Sequence, residues 1–235
     1  MSYIFIISSC LQPKIGVIDH ESRFQQTLNT ISSIRNKVEN SIIIFIDSSP
    51  TPIDDHKIFC IKSQVDHFVL LSNHSRALEL SQHGLKTPGE AYNLIVAFDV
   101  IRTMGIPNVK RVFKITGRAE LTDDFDIDYY ENELLNGKYV FKKRNKSWMS
   151  PALHLLDTRL WSFDFENLEE VADLIVKVYN DYFTTQWDME HLIFKIINKD
   201  RLVEKEVLGV KCQISSRSEE HTSELQSRGL ISYAV

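Results

Sequence analysis

Two short runs, Tyr3–Ser8 and Ser41–Ile46, constrain the fold more than anything else in this chain. The second reads Ser-Ile-Ile-Ile-Phe-Ile, and the first is nearly as apolar. A strand with one wet face alternates apolar and polar side chains. These do not alternate, so each must be covered on both faces. Between them, Phe24, Leu28, Ile31, Ile34 and Val38 recur at helical spacing over Ser22–Val38. Strand, helix and strand in that order make a βαβ unit. Its repetition along the chain predicts an α/β fold: a mixed, mostly parallel sheet flanked by helices, with right-handed crossovers.

The segment Thr87-Pro-Gly-Glu90 predicts the best-defined helix start. Thr87 would be the N-cap, Pro88 the first helical residue, and Glu90 the partner closing a capping box. Leu94, Ile95, Phe98 and Ile101 form the inner face, and Gly105 with Pro107 ends the helix. A strand over Val112–Thr116 follows. Further strands are expected at Phe59–Ile61, His67–Leu71, Tyr139–Lys142, Leu153–Asp157 and Val207–Ile214. Further helices are expected from the cap Asn167 through Phe183, and over Met189–Asn198 with Asp188 as its opening residue.

Composition excludes several classes. The chain is 43% hydrophobic and 25% charged, with a formal net charge of -5. That suits one sizeable globular core and lacks the basic excess of a nucleic-acid-binding surface. Cys10, Cys60 and Cys212 are odd in number and not at metal-ligand spacing, which points to a reducing compartment. Tyr3–Ile7 has no basic residues before it and is too short to span a bilayer. The expectation is a cytoplasmic domain without a transmembrane segment.

The end of the chain has a different origin. Arg217–Ser227 back-translates without a mismatch to a widely used short-read sequencing adapter, and Ile231–Val235 fits a later segment of the same adapter. Residues 217–235 are therefore expected to be an artefactual, disordered tail. The domain is expected to occupy 1–216 and to be cut short at its C-terminus.

The chemistry gathers at strand ends, where open α/β sheets bind ligands. Lys114 lies in the middle of the strand Val112–Thr116, on the same face as Val112 and Thr116. A lysine there must pair, reach a ligand, or run out to an edge. Arg118 follows Gly117, where a guanidinium could grip a diphosphate or meet a neighbouring carboxylate. Asp124-Phe-Asp126 is an Asp-x-Asp arrangement able to hold Mn²⁺ or Mg²⁺ together with substrate phosphates, or else a solvated loop. Ser8 and Ser9 end the first strand and Asp47 ends the second, where a nucleotide would lie. Glu190 and His191 open the last helix. Glu190 could serve as a general base, and His191 could bind metal or phosphate. No Gly-rich phosphate loop, Cys-x-x-Cys pair, Gly-x-Ser-x-Gly elbow or His-Glu-x-x-His motif occurs.

Three segments carry a resemblance: Phe113-Lys-Ile-Thr-Gly-Arg118 after its strand, Thr87-Pro-Gly-Glu-Ala91, and Trp187-Asp-Met-Glu-His191. Together they resemble glycosyltransferases of the GT-A fold, of the small bacterial or phage-borne kind. Two features depart from that pattern. Ala119 stands where an aromatic residue is expected, and Asp124–Asp126 lies well beyond the strand that such a motif normally follows. The resemblance implies a single nucleotide-binding domain that moves a sugar from a nucleotide-sugar donor to a glycan or lipid-linked acceptor. It would place Ser8, Ser9 and Asp47 at the nucleotide and Lys114 with Arg118 at the leaving diphosphate. Asp124 and Asp126 would hold the metal. Glu190 would be the base if the reaction is inverting, and the resemblance leaves inverting and retaining transfer both open. The rival readings are a nucleotidyltransferase and a non-catalytic nucleotide- or glycan-binding domain.

Overall fold

A computed structural model describes residues 1–14, 18–147, 149–150 and 152–212. The adapter-like tail lies outside the described residues. In chain order the elements are β1 (Ser2–Ser9), α1 (His20–Lys37), β2 (Ser41–Asp47), α2 (Asp55–Lys62), β3 (His67–Leu70), α3 (Ser75–Gln82), α4 (Lys86–Met104) and β4 (Val109–Thr116). They continue with β5 (Ala119–Leu121), β6 (Tyr139–Lys142), β7 (Asn145–Lys146), β8 (His154–Leu155), β9 (Leu160–Asp164), α5 (Leu168–Thr185), α6 (Met189–Ile196), β10 (Leu202–Lys205) and β11 (Val210–Cys212).

The main sheet has seven strands in the order β10-β6-β9-β4-β1-β2-β3. β1 pairs in parallel with β2 on one flank and β4 on the other, and β3 extends the parallel part beyond β2. β9 runs antiparallel between β4 and β6, and β10 is parallel to β6. The alternation of the pleat divides the core. Ile4, Ile6, Ile44, Ile46 and Val112 face α4, α5 and α6. Phe5, Ile7, Ile43, Phe45, Phe113 and Ile115 face α1. The Phe5 and Phe113 rings stack there with centroids 4.6 Å apart.

The expected mixed, mostly parallel sheet is present, with several differences in detail. Phe59–Ile61 is not a strand but part of α2. The Asp54 carboxylate caps that helix by accepting from the N–H groups of His56 and Lys57. A three-residue apolar run cannot separate the two periodicities. The cap decides, and Phe59 is left 71% exposed. α1 starts before Ser22, at His20, because Asp19 is the cap and accepts from the Ser22 N–H at 2.8 Å.

Thr87 is not an N-cap. α3, which sequence periodicity missed, closes at Gly84 with φ 66° and hands the chain directly to α4. Leu85 is then the cap residue and Thr87 lies inside the first turn. Asn167 does precede α5, but its side chain makes no cap hydrogen bond. Leu153–Asp157 shrinks to the two residues of β8, while β9 was not anticipated. Val207–Ile214 narrows to β11, paired antiparallel with β5, and β10 precedes it as a separate strand. Ile214 falls outside the described residues.

Candidate active site

The chain moves outward from β1 through β2 to β3, then returns through α4 and sets β4 on the other flank of β1. That reversal opens a crevice at the carboxyl ends of β1 and β4. Ser8 and Ser9 meet Gly117 at its base. The Gly117 N–H donates to the Ser8 carbonyl at 2.9 Å, and the Thr27 hydroxyl of α1 donates to the Gly117 carbonyl at 2.9 Å. A Cβ on Gly117 would lie 3.1 Å from the Ser9 Cβ. A side chain here would press on Ser9, so the close approach of the two strand ends favours a glycine.

Cations flank this crevice. Arg118 follows Gly117, and its charge acts on the Cys10 thiol together with that of Arg23 from α1. The thiol is nonetheless pushed up to about 12, by burial first and then by the Asp47 charge. Arg23 is itself buried, and it donates to the Ile18 carbonyl at 3.3 Å and to the Cys10 carbonyl at 3.5 Å. Arg159 stands on the β9 side. Its carbonyl accepts the Thr116 N–H at 2.9 Å, and its guanidinium is braced against Asp157 at 2.9 and 3.0 Å. Sequence reasoning did not select Arg23 or Arg159. The one signal for Arg159 was its place just before an unrecognised strand.

Asp47 is fully buried. One carboxylate oxygen accepts the Leu11 N–H and the other the Ser49 N–H, each at 2.8 Å. Burial raises its pKa against these hydrogen bonds. Asp47 therefore ties the β1 and β2 loops together from beneath and presents no surface of its own. Asn93 of α4 does similar work beside it. Its amide donates to the Ser8 hydroxyl at 3.3 Å and the Ser48 hydroxyl at 3.2 Å, while its buried Oδ1 has no hydrogen-bond partner among the described residues.

Lys114 does not extend to the strand end. It is 1% exposed, and its ammonium donates to the Glu90 carboxylate and to the Thr158 carbonyl, the latter at 2.7 Å. Glu90 is three residues before Asn93, on the same helical face. The expected capping box is absent because α4 begins before Thr87, and this carboxylate turns inward to the lysine instead. The Thr158 hydroxyl donates to the Glu190 carboxylate at 2.9 Å.

At the start of a helix Glu190 and His191 would ordinarily face water. Instead Glu190 is half-buried and His191 is buried. Burial first, then the Asp188 and Glu90 charges, push the Glu190 carboxyl up to about 7. His191 has both ring nitrogens occupied. Nδ1 meets Asp188, which also caps α6, and Nε2 lies 2.6 Å from the Ser147 hydroxyl.

The segment that carries the Asp-x-Asp pair is held toward the amino end of β1. Asp123, next to it, is paired with Lys37 at the C-terminus of α1. Lys37 lies about 21 Å along the helix axis from Arg23, at 1.5 Å per residue. In the same segment, Glu131 accepts from the Tyr3 hydroxyl near the start of β1. The residue that fixes this loop is Phe125, buried against Phe5, Phe113 and Tyr130. Asp124 and Asp126 flank it and are exposed. Among the described residues no three His, Cys, Asp or Glu side chains gather as metal ligands. With His191 engaged on both sides and the aspartates in a segment held toward the amino end of β1, this donor set does not fit Mn²⁺ or Mg²⁺.

Ala119, where an aromatic was expected, is fully buried in β5. No helix among the described residues is long and apolar enough to cross a membrane.

No family model matches the chain, and no curated protein does. Solved structures do. The mannosyltransferase Ktr4p from S. cerevisiae aligns with a TM-score of 0.54 at 10% identity, covering 90% of this chain and 70% of that one. Core-mannan synthase A from Aspergillus fumigatus, in its Mn/GDP form, gives 0.53 at 9% identity, covering 91% and 75%. The nucleoside-diphosphate-sugar pyrophosphorylase from Vibrio cholerae RC9 gives 0.50 at 12%, covering 95% and 99%. The chain thus has a GT-A-like α/β fold. At these identities the likeness is one of architecture, and activity must be argued from the site.

Proposed function

We propose that this chain transfers a sugar from a nucleoside-diphosphate sugar to a hydroxyl of a glycan or lipid-linked acceptor. One observation carries the reading. The region outside the carboxyl ends of β1 and β4, where Ser9 and Gly117 meet, is flanked by Arg118 and Arg159, and a carboxylate tuned to about 7 belongs to the polar cluster beneath it. The nucleotide would rest on the β1 and β2 loops that Asp47 and Asn93 hold in place. Arg118 and Arg159 would neutralise the leaving diphosphate, an electrostatic contribution that needs cations fixed before reaction. Glu190 would take the proton from the acceptor hydroxyl as its oxygen attacks the anomeric carbon and the bond to the diphosphate breaks. A pKa near the working pH suits that task. Lys114 acts through Glu90 and Thr158, as a positioning residue.

The pyrophosphorylase-like architecture favours a second reading, nucleotidyl transfer. The products separate the two. Incubation with a panel of nucleotide sugars should release free nucleoside diphosphate slowly even without acceptor. Pyrophosphate-dependent formation of a nucleoside triphosphate would replace this reading with the second. Binding without any turnover would leave a non-catalytic domain.

A further inference from the structure

A hollow of about 320 Å³ lies between the start of α6 and the β7–β8 hairpin. Its walls include Leu153, His154, Trp187, His191, Phe194 and Lys195. Two properties set it apart from an ordinary gap in packing. First, Trp187 and Phe194 bring two aromatic surfaces to one small opening. Flat rings of this kind suit the apolar C–H face of a pyranose. Second, positive charge collects on those rings. The Lys195 ammonium is 5.4 Å from the Trp187 ring centre, and the Lys199 ammonium is 3.8 Å from that of Phe194. The Arg144 guanidinium is 5.3 Å from the same Phe194 ring, but Glu204 matches it. Neither lysine has a carboxylate partner in an ion pair among the described residues. Lys199 is pulled down to about 8 by burial first and then by the Arg144 charge, with Glu204 opposing. Surplus positive charge on an acidic chain, gathered over aromatic faces, is complementary to a ring that bears an anion.

We propose that this hollow binds the acceptor as an anionic sugar, its ring on Trp187 or Phe194 and its phosphate or carboxylate on Lys195 in the wall, with Lys199 adding charge from beside Phe194. The proposal rests on the transferase reading above. It adds the class of acceptor. The base of that reading, Glu190, belongs to the same helical turn as His191 in the wall of the hollow.

The test is binding, measured without donor. The full chain is titrated with a hexose 6-phosphate, a hexuronic acid, a neutral methyl hexoside and inorganic phosphate. Saturation-transfer NMR on the ligand and tryptophan fluorescence report binding. At least one charged sugar should bind about tenfold or more tighter than the neutral glycoside and inorganic phosphate. Which one does so tells phosphate from carboxylate. Lys195→Met with Lys199→Met should erase that preference, and Trp187→Ala should weaken every sugar. Equal binding of the neutral glycoside, inorganic phosphate binding as tightly as the sugars, no binding at all, or a preference that survives loss of both lysines would each overturn the proposal.

A parallel thermal shift with nucleoside diphosphates tests the donor crevice separately. Charged sugars that bind a protein blind to nucleotides would remove the transferase reading and leave a sugar site. Nucleotide binding without sugar binding would do the reverse.

Discussion

Glu190→Gln tests the central chemistry through stability as well as rate. The Glu190 carboxyl sits at about 7 in the folded chain against 4.5 for the free group. A separation of one pH unit between two ionisations is worth about 1.4 kcal/mol, so the whole separation corresponds to roughly 3 kcal/mol. Water reaching a half-buried carboxylate reduces this to about 1–3 kcal/mol. The sign follows from which state loses its proton first. The unfolded chain ionises near 4.5 while the folded chain still holds its proton. Stability attributable to this group is therefore greatest below about pH 4.5, falls as pH rises toward about 7, and is flat above. Glutamine cannot ionise, yet it can still accept from the Thr158 hydroxyl. Urea unfolding at a series of pH values should show the variant matching the parent at about pH 4.5 and exceeding it by about 1–3 kcal/mol near pH 8. For a domain of this size that is a gain of very roughly 2–12 °C in Tm. Turnover should fall by about 10²–10⁴. A variant that loses turnover but follows the parent's stability at every pH would refute the tuned carboxylate. A variant that gains stability and keeps turnover would remove Glu190 from the reaction.

Three further outcomes are expected. Arg118→Ala should lower kcat/KM by about 10²–10³ while leaving Tm nearly unchanged, because its proposed work is on the diphosphate; calorimetric unfolding together with kinetics would expose a structural role instead. Lys114→Met should cost about 3 kcal/mol by leaving Glu90 unpaired, and Lys114→Met with Glu90→Gln should recover most of it in urea melts. Asp124→Asn with Asp126→Asn should leave turnover within about twofold, because their neighbour Asp123 is held by Lys37, about 15 Å along α1 from the Thr27 that meets Gly117; a hundredfold loss would return the metal to this loop.

The parallel sheet was legible because burial on both faces removes polar residues from a strand, and composition alone reports that. Gly117, Arg118, Ser8 and Ser9 were legible for the same reason, since they mark where the apolar runs stop. Arg23, Thr27 and Asn93 were not. On a helix they look like members of a wet face, and they are buried only because the β1 and β4 loops fold over them. Glu90 was misread because its sequence spacing fits a cap equally well, and the earlier start of α4 with the arrival of Lys114 from β4 decides between them. Asp124-Phe-Asp126 misled in the opposite way. The informative residue there is the central phenylalanine, whose core contacts aim both carboxylates at solvent.

The misread residues share one physical consequence. The serines at the strand ends and the carboxylate of α6 are both reached from α4 by groups one helical turn apart: Asn93 to Ser8 and Ser48, and Glu90 to Lys114, then Thr158, then Glu190. Each member is short of solvent, so each depends on its neighbour to remain charged or hydrogen-bonded. The Glu90 charge helps to hold Glu190 near 7, and Lys114 limits that effect by neutralising Glu90. A sheet that brings arginines to the crevice through its loops can oppose a diphosphate without gathering carboxylates there. Such a cluster of carboxylates would drive the Glu190 carboxyl still higher. On this view the distance of the aspartates from the strand ends, and the raised Glu190 carboxyl, are two sides of one charge arrangement.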